Sequence, residues 1–354
     1  MSLPSITITF TEKAKSLLSR TDKGVVGMIL KDAAPTTNPA ILYDEDDIPT
    51  TAAAASVTAM KMALKGYDKS PLRVEAYFVG KEAADYSEAL DYFANASVDY
   101  LCAPTCLTDN QVDAIKTWVI DQRAQEDSKI KAVLPKCAAD NEGVINFATE
   151  EVDAGDTKYT TEQMTARIAG ILASTGVNRS ATFAPIEEAT GCTTLSKTEL
   201  NKADEDGQLV AFYDGEKVKL GRAVNSLTTT NKGKGDQWKK IRIINIMDII
   251  KTDIHRIAED NFIGKYAATY DNKCLLVGAI QNYFNTLITE DALYSANVGF
   301  NIAKIKEHLI NKGESVNGMS DDQLKQHDTG SYVFLSATIG IADAIEDITL
   351  DITI

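Results

Sequence analysis

The chain has 354 residues, of which 44% are hydrophobic and 25% are charged, a balance that predicts a water-soluble protein of two or three domains. The formal net charge of −15 argues against broad contact with nucleic-acid phosphates, and no apolar run reaches the roughly 18 residues of a membrane span. The N-terminus lacks the basic region and apolar core of a secretory signal, and the five scattered cysteines are typical of a reducing compartment.

The chain begins with an alternation that predicts a β-strand. Ile6, Ile8 and Phe10 alternate with threonines, so this strand would have one apolar face and one polar face. A strand at a terminus needs a partner, because an open edge leaves its N–H and C=O groups unpaired. We expect residues 1–20 to form an arm whose partner is either a sheet of the same chain or a neighbouring copy.

Residues 21–195 alternate between predicted strands and predicted helices, which indicates a layered α/β domain with a largely parallel sheet. The predicted strands are 25–30, 72–79, 98–103, 129–134, 143–147 and 182–186. The predicted helices are 52–64, 81–94, 108–123 and 160–172, the last of them with Thr160 or Thr161 as its N-cap.

Residues 196–340 change to short strands followed by amphipathic helices, which indicates an α+β domain. The predicted strands are 209–213, 217–220, 224–228, 240–244 and 332–339. The isoleucine spacing from Ile246 to Ile257 predicts one helix, and a second is capped by Asp271 or Asn272. A third helix carries Ile302, Ile305 and Leu309 on one face and ends before Gly313.

The last residues, 341–354, form a second predicted arm. Its apolar positions alternate with Thr349, Asp351 and Thr353, and they are Ile348, Leu350, Ile352 and Ile354. Charge is also uneven here, because residues 231–256 are basic and residues 321–354 are acidic. The two segments either meet between copies of the chain or are separate solvated faces.

A search for catalytic motifs gives no candidate. The sequence contains no G-x-x-x-x-G-K-[ST], no strand-associated G-x-G-x-x-G, no H-E-x-x-H and no G-x-S-x-G. Cys102 and Cys106 flank Pro104, but without a second pair they favour packing over a zinc site. We therefore predict no catalytic residue, no cofactor site and no metal site. The alternative is an oligomeric α/β enzyme that binds a nucleotide or metabolite.

Four stretches resemble contractile-tail sheath proteins, in the order that the family has them. They are Y-D-G-E-K-V-K-L-G-R-A-V-N-S-L-T-T-T (213–230), K-K-I-R-I-I-N-I-M-D-I-I-K-T-D-I (239–254), I-G-K-Y-A-A-T-Y-D-N-K with A-I-Q-N-Y-F-N-T-L (263–287), and the closing residues 331–354. The third departs from the family at Ala268, where Asn is common. The size is closest to short sheaths of defective prophages and phage-tail-like bacteriocins from Gram-positive bacteria.

The resemblance implies a structural function without catalysis. Sheath subunits stack as hexameric rings in a six-fold helical polymer around an inner tail tube, and contraction drives the tube through the target envelope. The implied partners are further copies of this chain, the inner tail tube protein, and the baseplate and tail terminator proteins, with no nucleic acid and no membrane. The implied location is the bacterial cytoplasm during synthesis, then a virion tail or a released phage-tail-like particle. The larger, ATPase-recycled sheath of a secretion system is a less suitable relative.

The resemblance also implies the contacts that hold the polymer together. Both arms would add strands to sheets of neighbouring subunits, with Val333 and Leu335 in the strand that precedes the C-terminal arm. Residues 196–340 would be the inner sheath domain and residues 21–195 an outer domain. We expect the tube to be held by the helix over 301–312 through Lys304, His308 and Lys312, which lie off its apolar stripe; the helix over 321–326 is the rival, and a merely solvated face is the alternative.

Overall fold

The protein, as a computed structural model, is described over residues 23–125 and 128–353. The helices of this part are α1 (Ala54–Lys65), α2 (Ser87–Asn95), α3 (Val112–Gln125), α4 (Thr161–Ser174), α5 (Lys197–Glu205), α6 (Ile241–Asn261), α7 (Tyr270–Thr289), α8 (Ile302–Asn311) and α9 (Asp321–Gln326). Its strands are β1 (Val25–Leu30), β2 (Ala40–Leu42), β3 (Arg73–Phe78), β4 (Tyr100–Cys102), β5 (Lys131–Pro135), β6 (Val144–Phe147), β7 (Glu151–Ala154), β8 (Thr157–Thr160), β9 (Gly191–Cys192), β10 (Gln208–Leu209), β11 (Ala211–Tyr213), β12 (Val218–Leu220), β13 (Leu293–Phe300) and β14 (Leu335–Ile341).

The largest sheet has seven strands in the order β10-β6-β5-β4-β1-β3-β2. All of its neighbouring strands are parallel except β2, which runs antiparallel to β3 at one edge. Every residue of β1 is buried, because a parallel sheet is covered by helices on both faces. The prediction of a layered α/β fold with a largely parallel sheet is confirmed.

Separate apolar clusters cover the two faces of this sheet. One face packs against α1 and α4 and the other against α2 and α3. The α1–α4 crossing depends on Gly170, because a Cβ there would lie 2.2 Å from the carbonyl oxygen of Ala63. Thr160 is the N-cap of α4, and its hydroxyl accepts a hydrogen bond from the Gln163 amide, as the sequence predicted.

The C-terminal region has a core of its own. Helices α6 and α7 pack on the two-stranded antiparallel sheet of β13 and β14, and this core includes Ile250, Phe284 and Leu287. Helices α8 and α9 lie between the two strands in sequence and share a small cluster around Leu309 and Leu324. The α+β character predicted for this half of the chain is confirmed. None of the helices in the described residues combines the length and apolarity needed to cross a membrane.

Several predicted elements were wrong in type. Residues 240–244 are not a strand but the first turn of α6, where Ile241, Ile243 and Ile244 are all buried. A β-branched run of this kind has the periodicity of a strand, and the sequence could not show that all of its sides are covered. Residues 224–228 and 182–186 form only isolated bridges, and β13 is a strand where none was predicted.

Other elements were placed correctly but with wrong limits. Helix α2 begins at Ser87 and not at residue 81. Residues 209–213 do not form one strand, because Val210 interrupts it: β10 pairs with β6 in the large sheet and β11 pairs with β12. The N-cap of α7 is Thr269, and neither of the two predicted caps, Asp271 and Asn272, has this role. The domain boundary predicted near residue 195 stays a prediction; the cluster around the large sheet reaches as far as Ile241.

Candidate interaction surfaces

The C-terminal segment, residues 342–353, follows β14. The amide of Ala342 still donates a hydrogen bond to the carbonyl of Ala292, at 3.0 Å. Beyond Asp347 the segment is exposed, and the exposed fractions are 82% for Ile348, 76% for Leu350 and 76% for Ile352. Three large aliphatic side chains at every second position would share one apolar face if the segment were a strand, and nothing in the described residues covers them.

Other residues predicted for strand exchange are placed less clearly. Leu335 is the first residue of β14, opposite Phe300, and is half-buried, whereas Val333 precedes the strand. Ile6, Ile8, Phe10 and Ile354 lie outside the described residues. The assignment of these residues to strand exchange therefore stays a prediction.

An ionic cluster holds residues 343–347 against the body just before the exposed segment. The Lys240 ammonium donates to the carboxylates of Asp343 at 2.5 Å and Glu346 at 3.0 Å. Arg222 donates to both carboxylate oxygens of Asp347, at 2.9 and 3.0 Å. Glu346 also accepts a hydrogen bond from the Thr182 hydroxyl, at 2.7 Å.

This cluster is where the basic and acidic segments of the sequence meet. They meet within one chain, whereas the sequence left contact between copies or separate solvated faces as the possibilities. Partial burial alone lowers the pKa of Lys240, but the carboxylates of Asp343 and Glu346 outweigh it and raise the pKa. The cluster fixes the direction in which residues 348–353 leave the protein.

We expect Lys240→Gln to loosen this attachment. The substitution removes two charge-assisted hydrogen bonds, so the Ala342 amide should exchange with solvent several-fold faster in hydrogen–deuterium exchange. Lys239→Gln is a matched control, because Lys239 pairs with Asp236 at 2.9 Å and does not touch the tail. Equal exchange rates at Ala342 in both variants would show that the cluster does not hold the segment.

The two-stranded sheet of β13 and β14 offers a surface that a strand could extend. Ala296 pairs with Ile339 and Val298 pairs with Ala337 in its antiparallel register. Helix α7 covers one face, and Tyr294 on β13 is 72% exposed. Within the described residues each of the two strands has one edge that no further strand occupies.

The outer edge of β13 is held by a side chain of α7. The amide of Val298 donates to Oε1 of Gln281 at 3.0 Å, and Nε2 of Gln281 donates to the carbonyl of Ala296 at 3.2 Å. Nε2 also donates to Oδ1 of Asn285, one helical turn further on, at 3.0 Å. The edge is therefore paired at one point, by a side chain and not by a strand.

The residues predicted to contact a tube lie on α8 in two different environments. Lys304 is exposed and its ammonium donates to Glu307 at 2.9 Å, and Lys312 is exposed just after the helix. His308 is half-buried, with its ring centroid 4.9 Å from that of Tyr332 and 5.1 Å from that of Phe334. Only the two lysines present their charge to solvent, and tube contact stays a prediction for all three residues.

A buried ionic triad joins α6 to the large sheet. Asp248 accepts two hydrogen bonds from Arg123, at 2.9 and 3.0 Å, and one from Lys131 at 2.8 Å. Burial alone raises the pKa of Asp248, but the two cations lower it below its usual value, with Lys131 the larger influence. The Tyr100 hydroxyl donates to Oδ1 of Asn245 in the same layer, at 2.6 Å. Because these groups satisfy one another, they form a structural joint between the two regions.

The candidate zinc ligands are packing residues. Cys102 and Cys106 are both buried, as the sequence favoured, and burial raises the pKa of both thiols. In the part of the chain that the structure describes, no group of three or more His, Cys, Asp or Glu side chains is arranged to hold a metal ion.

Known proteins resemble this chain along its whole length. Residues 80–226 match the family model of the phage tail sheath protein central domain, and residues 233–354 match that of the phage tail sheath C-terminal domain. The chain is 32% identical to the tail sheath protein of Clostridium phage phiCD119 over 353 residues, which cover 98% of each chain.

Solved structures share the fold at lower identity. The sheath tail protein from Listeria innocua aligns with a TM-score of 0.69 and 17% identity, covering 92% of this chain and 97% of that chain. The sheath of an extracellular contractile injection system, the PVC sheath complex in its contracted state, aligns with a TM-score of 0.65 and 12% identity, covering 100% of this chain and 98% of that chain.

Proposed function

This chain belongs to the phage tail sheath family, and we propose that it is the structural subunit of a contractile tail sheath that works without catalysis. Subunits stack as hexameric rings around an inner tube, and contraction drives the tube through the envelope of a target cell. The observation that carries the proposal is the full-length identity of 32% to a phage tail sheath protein. The exposed C-terminal segment is the physical feature that fits it.

Neighbouring subunits are joined by exchanged strands in this proposal. Residues 348–353 of one copy pair with an edge of the β13–β14 sheet of the next copy, and the arm with Ile6, Ile8 and Phe10 extends another neighbouring sheet. Pairing would remove the aliphatic side chains of Ile348 and Leu350 from water, at roughly 25 cal/mol per Å² of apolar surface. In the part of the chain that the structure describes, the β13–β14 sheet has two edges without a neighbouring strand, which is what such arms need.

Exchanged strands suit a polymer that changes shape. Main-chain hydrogen bonds depend little on side-chain fit, so they can persist while the globular surfaces of neighbouring subunits slide and repack. Contraction then requires two packings of the same subunit that differ by a few kcal/mol, summed along the tube. Residues 21–195 project outward and residues 196–340 line the inside in this arrangement.

Electron microscopy of the purified protein tests the proposal directly. We expect rings or tubes with six-fold symmetry when the full-length chain is concentrated. A compact soluble oligomer that binds a nucleotide or metabolite saturably would contradict the proposal and favour an α/β enzyme. That alternative is supported by the strand–helix alternation alone, and a fold does not determine a function.

The partners follow from the same proposal. The subunit is made in the bacterial cytoplasm and assembles with an inner tail tube protein, a baseplate and a tail terminator. It becomes part of a virion tail or of a phage-tail-like particle that the cell releases. A short sheath of a prophage or a bacteriocin fits the length of the chain better than the sheath of a secretion system.

The tube contact is proposed to lie on α8. In this proposal the ammonium groups of Lys304 and Lys312 face acidic groups of the tube. Replacing both lysines with Glu puts carboxylates in their place, and the repulsion should weaken binding to the tube at least tenfold. Co-assembly of purified subunit and tube, followed by sedimentation, measures the effect.

Two variants control this experiment. Lys202→Glu changes a lysine of α5 that is 71% exposed and paired with Asp206, so it makes the same type of substitution, at one site instead of two, away from α8. Lys325→Glu tests α9, the rival helix. Undiminished co-assembly of the Lys304 and Lys312 double variant would show that α8 is not the tube contact. If only Lys325→Glu loses co-assembly, the tube contact lies on α9.

A further inference from the structure

Gln281 reproduces the hydrogen bonds of a β-strand at the outer edge of β13. Its side-chain amide accepts from the Val298 N–H and donates to the Ala296 carbonyl. One residue of a parallel strand bonds to its neighbour in the same way, using the C=O and N–H groups that lie on either side of a single residue, here Asn297. The side-chain amide thus makes the two hydrogen bonds that the N–H and C=O of one strand residue would make.

The position of Gln281 is fixed by its own helix. Helix α7 packs on the sheet through Ile280 and Phe284, so the next side chain along the helix reaches the edge beside them. Asn285 accepts the second N–H of the Gln281 amide, which fixes the direction of the amide group and satisfies both of its donors. The amide is therefore held in place at the strand edge.

We propose that Gln281 is a removable substitute strand: it pairs the outer edge of β13 in the free subunit and gives way when a strand from a second copy arrives. This inference rests on the strand exchange of the proposed function. Open edges promote unspecific association, and proteins protect them in several ways. An amide that can swing away protects the edge without closing it permanently.

The incoming strand is the C-terminal segment of a second copy of this chain. Its exposed side chains, Ile348, Leu350 and Ile352, alternate with polar ones, as a strand on a half-covered sheet requires. Residues 348–353 would span about 20 Å when extended, which matches most of the eight residues of β13.

Displacement raises the minimum length of a strand that can bind measurably to the edge. A strand that touches only Ala296 and Val298 replaces two hydrogen bonds with two equivalent ones and gains little. A strand that continues along β13 adds main-chain bonds that Gln281 never supplied. The expected consequence is that removing Gln281 strengthens, by the same factor, the binding of every strand that covers Ala296 and Val298.

The test uses the full-length protein with Leu350→Pro, a substitution that stops its own tail from acting as a strand. A labelled peptide of residues 343–354 is titrated into this protein and into the same protein with Gln281→Ala. We expect the Gln281→Ala variant to bind the peptide on the order of tenfold more tightly. Asn282→Ala removes an exposed amide of the same helix that makes no hydrogen bond to β13, so this variant should bind like the parent.

A second measurement reports on the edge itself. The Val298 amide should exchange with solvent faster after Gln281→Ala, and it should be protected again when the peptide is bound. Equal or weaker peptide binding by Gln281→Ala would overturn the role of Gln281 while leaving strand exchange intact. No binding to either protein would overturn strand exchange and this inference together.

Discussion

A chain that ends at Ala344 should fold normally and form no tubes. The residues removed, 345–354, include Glu346 and Asp347 of the ionic cluster, but their aliphatic side chains contribute almost nothing to the core, since the exposed fractions are 88% for Ile345, 82% for Ile348 and 76% for Leu350. The proposed bond between subunits is lost entirely, because the donated strand is gone. The expected effect is all-or-none in electron micrographs, with a shift of no more than a few degrees in thermal unfolding.

A tail of unchanged composition is the matched control for this truncation. Reordering residues 348–353 so that the apolar side chains no longer alternate keeps the length and charge but removes the strand face. We expect the reordered chain to behave like the truncated one. Tubes of normal length from either variant would contradict the exchange of C-terminal strands.

The largest loss of stability should come from Asp248→Ala. This change leaves the guanidinium of Arg123 and the ammonium of Lys131 buried without their counter-ion, which costs about 3–5 kcal/mol of the free energy of unfolding. Chemical denaturation of the purified subunit measures the loss. Asp113→Ala is the control, because the Asp113–Lys116 pair is exposed and should contribute less than about 1 kcal/mol.

The same triad gives the stability a defined dependence on pH. The pKa of Asp248 in the folded protein is lowered from 3.8, so the unfolded chain binds this proton more readily than the folded one. The stabilisation is therefore present above pH 3.8 and is lost as the pH falls towards the lowered pKa.

Loss of stability that is no greater in Asp248→Ala than in Asp113→Ala would show that the triad is not a joint of the fold.

Strands with continuous apolar sequence could be predicted, and weakly apolar ones could not. The residues of β1 and β5 are buried on both sides of the sheet, and their mostly apolar composition predicts this burial. Strand β13 contains Asn297 and Gly299 and has several exposed positions, so no local pattern marks it. It is a strand because β14 pairs with it and α7 packs on it. Local periodicity in the sequence does not show contacts of this kind between separate elements.

The surfaces proposed to join subunits also include one feature that local sequence predicts and others that depend on contacts between distant residues. The alternation around Leu350 was visible in the sequence, because a strand face has a period of two. The attachment of Lys240 to Asp343 joins residues 103 positions apart, and no spacing rule connects them. Gln281 looked like one more polar position on a helix, and its bonds to Ala296 and Val298 depend on how α7 lies across the sheet.

The location of the C-terminal segment in an assembled sheath tests most directly whether subunits exchange strands. A cryo-electron microscopy map of tubes formed by the full-length chain would show the path of residues 348–353. We predict that they run as a strand along the β13–β14 sheet of an adjoining subunit. A map in which they fold back onto their own subunit, with no main-chain pairing to a neighbour, would contradict the central claim.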